Sequence, residues 1–103
     1  MRFEILIGPE DGRIVECQGK RVAIGRSASG NDFEIRGDKR VSGFHAEAIQ
    51  EGPTYKILDR RSKNGTEVKD KFYLWKERKE RLEAPLVPGD VLIMGKLWVR
   101  FLG

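Results

Sequence analysis

The chain has 103 residues, of which 39% are hydrophobic and 35% are charged. This composition is typical of one soluble globular domain, residues 1–103, and excludes a disordered chain. The net charge of +4 favours acidic or phosphorylated partners but is too small to indicate nucleic-acid binding. No apolar run approaches the roughly 18 residues of a membrane span, and no signal peptide is recognisable, so no membrane association and a cytoplasmic location are expected.

The chain contains one cysteine, Cys17, and one histidine, His45. An internal disulfide is therefore impossible, and the two residues cannot form a zinc site with the usual Cys/His spacing. Cys17 lies in a predicted strand, where it is expected to be a small buried hydrophobic residue. Neither a metal nor a cofactor is predicted.

Short segments of alternating polar and apolar residues follow one another, separated by turn residues such as Gly, Pro, Asn and Asp. Strands are predicted at residues 2–7, 13–17, 21–25, 33–35, 44–50, 55–58, 67–68, 72–75, 91–94 and 97–101. The first two read as a hairpin. About ten short strands, with turn signals every 8–12 residues, predict an all-β, two-sheet sandwich.

One segment, residues 76–83, breaks the strand pattern. Its sequence KERKERLE is rich in helix formers, with Glu77 and Arg81 four residues apart, and it is followed by Pro85 and Pro88. A short helical insertion of one or two turns is predicted here. Its charged residues are interpreted as a solvated helix face, with a separate contact to a partner or to nucleic acid as the alternative.

Three polar residues follow three separate predicted strands. Arg26 comes after the third strand, Ser42 lies sixteen residues further on, and Asn64 occupies an Asn-Gly turn after residues 55–58. A β-sandwich gathers such loops at one end. Arginine, a serine hydroxyl and asparagine are also suitable hydrogen-bond donors for a phosphate group.

Four motifs in this order and spacing resemble the forkhead-associated (FHA) domain. They are Ile24-Gly25-Arg26, Val41-Ser42-x-x-His45, Ser62-x-Asn64-Gly65-Thr66 and Pro88-Gly89-Asp90-x-Leu92-x-x-Gly95. The resemblance runs from about residue 3 to 102. It implies a sandwich of about eleven strands that binds phosphothreonine peptides through loops at one end, in signalling or assembly.

The resemblance also implies roles for individual residues. Arg26 would contact the phosphate, Ser42 would donate its hydroxyl to the phosphate, and Asn64 would bind the peptide backbone beside the phosphothreonine. Lys63 would supply another phosphate or peptide contact, and Arg40 could meet the residue three positions after the phosphothreonine. Together, Arg40 and Lys63 suggest a preference for acidic residues after the phosphothreonine.

Four further residues are expected to support the site structurally. His45 would hydrogen-bond neighbouring loops as a scaffold for the Ser42 loop, and Thr66 would brace the following turn. Gly65 completes the Asn-Gly turn, because glycine accepts a positive φ at little cost, and Gly25 precedes Arg26 at the end of its strand.

One position departs from the family pattern. The residue after the motif serine is usually Arg, Lys or Asn, but here it is Gly43, so one phosphate donor is missing. Two readings therefore stay open: a phosphothreonine-binding module, whose partner would be made by a Ser/Thr kinase, or an FHA-like interaction domain that needs no phosphate. A small basic nucleic-acid-binding protein is a third class. No catalytic set is recognisable, so an enzyme is not predicted, and the oligomeric state is left open.

Overall fold

The computed structural model describes residues 1–75 and 82–103, which form eleven β-strands and no helix. The strands are β1 (Arg2–Ile7), β2 (Ile14–Glu16), β3 (Arg21–Gly25), β4 (Phe33–Glu34), β5 (Ala46–Glu51), β6 (Thr54–Asp59), β7 (Thr66–Val68), β8 (Phe72–Leu74), β9 (Glu83–Leu86), β10 (Val91–Met94) and β11 (Leu97–Phe101). Within this described part there is consequently no helix that could cross a membrane.

The strands form two sheets, which confirms the predicted all-β sandwich. The six-stranded sheet has the order β2-β1-β11-β10-β7-β8, and the five-stranded sheet has the order β4-β3-β5-β6-β9. β1 and β2 pair antiparallel, as the predicted hairpin requires. Most neighbouring strands are antiparallel. β3 and β4 run parallel, because the loop between them carries the chain back along β3 before β4 begins.

The core lies between the inner faces of the two sheets, where alternate residues of each strand point inward. Three fully buried phenylalanines cross it: the ring of Phe3 lies 5.2 Å from that of Phe33 and 5.5 Å from that of Phe101, measured between centroids. Cys17 is buried against this core, which confirms its predicted hydrophobic role, and burial raises the pKa of its thiol. The core fixes the strand ends from which the loops emerge.

The helix predicted for residues 76–83 is not observed. Residues 76–81 lie outside the described part of the chain, and Glu83 begins strand β9 rather than ending a helix. This strand, absent from the sequence prediction, pairs antiparallel with β6 and contains Pro85 opposite Lys56. At Glu83 the prediction is wrong, because pairing with β6 outweighs local propensity there.

Pro85 is compatible with this strand because of its place in the hydrogen-bond ladder. The Asp59 amide donates to the Leu82 carbonyl oxygen at 2.7 Å, and hydrogen-bonded pairs alternate along an antiparallel ladder. The pair Lys56–Pro85 is therefore a non-bonded pair, and the proline nitrogen points away from β6. β9 is an edge strand in the described sheet, so Pro85 costs it no ladder hydrogen bond.

Candidate functional site

Loops that follow β3, β4 and β6 meet at one end of the sandwich. The Arg26 amide donates to the Ser42 carbonyl oxygen at 3.0 Å, which joins the β3–β4 loop to the β4–β5 loop. The Lys63 amide donates to the Ser42 hydroxyl oxygen at 3.0 Å, which joins the β6–β7 loop to the same place. The polar residues singled out in the sequence therefore lie on loops that are hydrogen-bonded to one another.

Arg26 is exposed, and its guanidinium group is held on one side only. Its Nε donates to the Val41 carbonyl oxygen at 2.9 Å, and the two Nη atoms make no hydrogen bond or ion pair with the described residues. One fixed nitrogen limits the rotation of the planar group. The remaining N–H donors form a fork suited to the oxygens of a phosphate or carboxylate.

The Ser42 hydroxyl is fixed as an acceptor and still carries a proton. Since it receives the Lys63 amide hydrogen, its own hydrogen can be donated to another group. The Lys63 side chain is exposed and forms no ion pair within residues 1–75 and 82–103. The junction of these two loops thus offers a hydroxyl donor and an ammonium group.

Asn64 joins the β6–β7 loop to Arg40. Its Nδ2 donates to the Arg40 carbonyl oxygen at 2.8 Å, and the Tyr73 hydroxyl donates to the Asn64 carbonyl oxygen at 2.8 Å. The Oδ1 atom and the second Nδ2 hydrogen have no hydrogen-bond partner in the described chain. The amide is therefore oriented by the protein and retains one donor and one acceptor for a peptide backbone.

His45 is fully buried and connects the two loops that carry Ser42 and Asn64. The Ser42 amide donates to its Nδ1 at 3.0 Å, so Nε2 carries the proton and donates to the Gly65 carbonyl oxygen at 2.8 Å. Burial lowers the pKa of His45 below its ordinary value; the Gly65 carbonyl and the carboxylates of Asp59 and Asp38 act in the opposite direction. The neutral imidazole is the form that makes both hydrogen bonds.

A buried carboxylate that the sequence analysis did not single out supports the Lys63-Asn64 turn. Asp59 accepts the Ser62 amide at 3.0 Å and the Ser62 hydroxyl at 2.6 Å, and also the Thr66 hydroxyl at 2.8 Å. The Gly65 amide donates to the Ser62 hydroxyl oxygen at 2.9 Å. These hydrogen bonds hold the turn in place from its buried side. In the sequence, the sign of this network was an aspartate three residues before a serine, which is typical of such turns.

Two other supporting residues were also missed. The Asn31 Nδ2 donates to the carbonyl oxygens of Ser27 and Gly43, at 3.0 and 2.8 Å, and its buried Oδ1 has no partner among the described residues. Asp38 is buried and accepts the amides of Arg40 and Lys96, at 2.9 and 3.0 Å. These side chains fix the loops before and after Ser42 and the turn between β10 and β11.

Three glycines at the site differ in how strictly the backbone requires them. A Cβ at Gly25 would stand 2.2 Å from the Gly43 carbonyl oxygen, so no side chain fits there. Gly65 has φ +81° and lies against the Tyr73 hydroxyl, 2.8 Å from where a Cβ would be. Gly43 has no positive φ, and among the described residues other than its chain neighbours a Cβ there would meet only the Ser27 Cβ, at 3.9 Å. The missing donor at Gly43 is therefore not imposed by the fold.

Positive charge is concentrated at this end of the sandwich. In the loops at this end, six exposed cations form no ion pair with any described residue: Arg26, Lys39, Arg40, Arg61, Lys63 and Lys96. The buried carboxylates nearby, Asp38 and Asp59, are hydrogen-bonded to amides and hydroxyls. The loops therefore favour a multiply charged anion.

An eleven-stranded sandwich with such polar loops at one end belongs to the class of loop-based recognition domains. A family model of the FHA domain matches residues 22–95, and the chain belongs to the FHA domain family. No curated protein sequence matches it significantly.

Solved structures of FHA domains share the fold. The FHA domain of an Arabidopsis thaliana hypothetical protein is 25% identical with a TM-score of 0.80, over 99% of this chain and 85% of that one. Mycobacterium tuberculosis EmbR, solved with a low-affinity phosphopeptide, is 26% identical with a TM-score of 0.78. The match covers 98% of this chain and 24% of EmbR. The FHA domain of CT664 from Chlamydia trachomatis is 23% identical with a TM-score of 0.79, over 99% and 95% of the two chains.

Proposed function

We propose that the chain is a phosphothreonine-dependent interaction module that binds phosphorylated segments of partner proteins. In this proposal Arg26 and Ser42 bind the phosphate, Asn64 binds the adjoining peptide backbone, and Lys63 and Arg40 add charge beside them. The observation that carries it is the pairing of a half-fixed guanidinium with a hydroxyl whose proton is available, on two hydrogen-bonded loops. The phosphopeptide bound by EmbR, part of which shares this fold, supports the ligand class.

The charge of the ligand matches the charge of the loops. A phosphothreonine carries about −1.5 to −2 charges at neutral pH and three acceptor oxygens. The unpaired loop cations provide the opposite charge, and Arg40 and Lys63 favour acidic residues after the phosphothreonine. A peptide array in which acidic flanking residues do not change affinity would rule out that preference.

The decisive experiment measures binding of a degenerate phosphothreonine peptide library against its phosphoserine and unphosphorylated counterparts. Removing the fork in Arg26→Ala deletes at least one charge-assisted hydrogen bond, worth about 1.5–3 kcal/mol, so affinity should fall roughly 10- to 150-fold. Arg100→Ala, which removes an exposed arginine of β11, is the matched control and should bind normally. Unchanged affinity in a folded Arg26→Ala variant would refute the proposal.

A phosphate-independent FHA-like interaction domain is the second candidate, and Gly43 is the observation that favours it. With no side chain at this position, one phosphate donor of the family pattern is absent. Equal binding of phosphorylated and unphosphorylated forms of the same partner would favour this alternative. In either case the function is recognition of another protein, and nothing in the described site indicates catalysis.

A further inference from the structure

Phe44 is an exposed aromatic residue in the loop that carries Ser42. Its side chain is 51% exposed, and the other large hydrophobic residues exposed within the described chain lie elsewhere: Ile7, Ile14, Phe72 and Val87. Phe44 stands two positions after the proposed phosphate-binding serine and one before the buried His45. A half-exposed phenylalanine ring beside the proposed phosphate site offers apolar surface that a bound partner can remove from water.

The backbone on both sides of Phe44 is held in place. The His45 amide donates to the Ile24 carbonyl oxygen at 2.9 Å, and the Asn31 Nδ2 donates to the Gly43 carbonyl oxygen at 2.8 Å. The ring itself lies against Gly30, where a Cβ would stand 2.9 Å from the Phe44 Cε1 atom. The ring is thus seated on the β3–β4 loop, and covering it would order little that is not already ordered.

The neighbouring position leaves room for a partner chain. Gly43 has no side chain, and apart from its chain neighbours the one heavy atom of the described residues within 4 Å of a Cβ added there is the Ser27 Cβ, at 3.9 Å. An incoming segment can therefore approach the loop backbone between Ser42 and Phe44. A side chain that follows or precedes the phosphorylated residue can then reach the ring.

Because Phe44 lies in the same loop as Ser42, we propose that it is a specificity-determining contact, which binds a large apolar side chain close to the phosphothreonine of the partner. The inference rests on the proposed function, because the phosphate bound by Arg26 and Ser42 brings the apolar side chain to the ring. A polar neighbour would leave the ring in water, whereas an aliphatic or aromatic neighbour would bury it. The contact also contributes binding affinity at a site that lacks one phosphate donor, because residue 43 is a glycine.

The test uses phosphothreonine peptides in which each flanking position, from three before to three after, carries either Leu or Ser. The wild-type protein should bind the Leu peptide about 10-fold more tightly than the Ser peptide at one position, since both the ring and the leucine leave water. Phe44→Ser should lose this preference and bind the Ser peptides as the wild type does. Phe44→Leu, which keeps an apolar surface, should retain most of the preference.

Val87→Ser is the matched control. Val87 is 50% exposed and lies in the turn between β9 and β10, at the opposite end of the sandwich from the β10–β11 turn. The Val87→Ser protein should show the same preference for Leu peptides as the wild type. Phosphothreonine binding without a preference for Leu, or with a preference unchanged in Phe44→Ser, would overturn this inference alone. Binding of no phosphopeptide by the wild type would overturn the proposed function together with it.

Discussion

Replacing Gly43 with arginine should strengthen phosphopeptide binding. The fold has space for this change, because Gly43 has no positive φ and the nearest heavy atom to a new Cβ is the Ser27 Cβ at 3.9 Å. The new guanidinium would follow directly on Ser42, on the loop already joined to Arg26 by the hydrogen bond between the Arg26 amide and the Ser42 carbonyl.

The size of the gain follows from two opposing terms. One charge-assisted hydrogen bond to the phosphate contributes about 1.5–3 kcal/mol, while ordering a long exposed side chain costs up to about 2 kcal/mol. A net gain of about 1 kcal/mol corresponds to roughly fivefold tighter binding. Gly43→Ala adds the Cβ without the donor, so its affinity should stay within about twofold of the wild type.

Titration calorimetry with one phosphothreonine peptide and its unphosphorylated form measures this difference directly. The gain in Gly43→Arg should be confined to the phosphorylated peptide and should shrink at high salt, because the new contact is between exposed charges. A Gly43→Arg protein that is folded but binds no more tightly than Gly43→Ala would refute the reasoning. It would mean that the side chain at this position does not reach the phosphate.

Two predictions concern stability. Gly25→Ala should lower the free energy of unfolding by about 1–3 kcal/mol, because the added Cβ would stand 2.2 Å from the Gly43 carbonyl oxygen; an unchanged urea midpoint would contradict this. Since burial lowers the pKa of His45 from 6.5, the unfolded chain binds a proton that the folded chain does not, so stability should fall as the pH drops below that value. Urea unfolding between about pH 8 and pH 5 tests this, and an equally steep decline in His45→Gln would refute it.

The strands with clear alternation could be predicted from sequence, whereas β9 could not. The bounds of β1, β3, β10 and β11 agree with the predicted segments. In β1 the alternation of polar and apolar residues records which face is buried, and in β10 a short apolar run lies between two turns. β9 carries Pro85 and follows a run of helix formers, so local propensity opposed it. Only the presence of β6 as a partner, and the outward direction of the proline nitrogen, make the strand possible.

The residues proposed to bind the ligand were easier to foresee than the residues that hold them in place. Arg26, Ser42 and Asn64 lie in loops that follow three separate strands, and a β-sandwich gathers such loops at one end. Asn31 and Asp38 act through hydrogen bonds that join different loops: Asn31 holds the Gly43 carbonyl, 12 positions away, and Asp38 holds the Lys96 amide, 58 positions away. Such pairs have no periodicity, so only the folded backbone reveals them.

Pro85 also bears on how copies of the chain behave when they are crowded. An extended segment arriving at the outer side of β9 would find no hydrogen to accept at Pro85, and one of its carbonyl groups would stay unpaired. An unsatisfied buried carbonyl costs about 1–3 kcal/mol, which weakens growth of the sheet along this edge. Copies gathered at one place should therefore not join into a continuous sheet through β9.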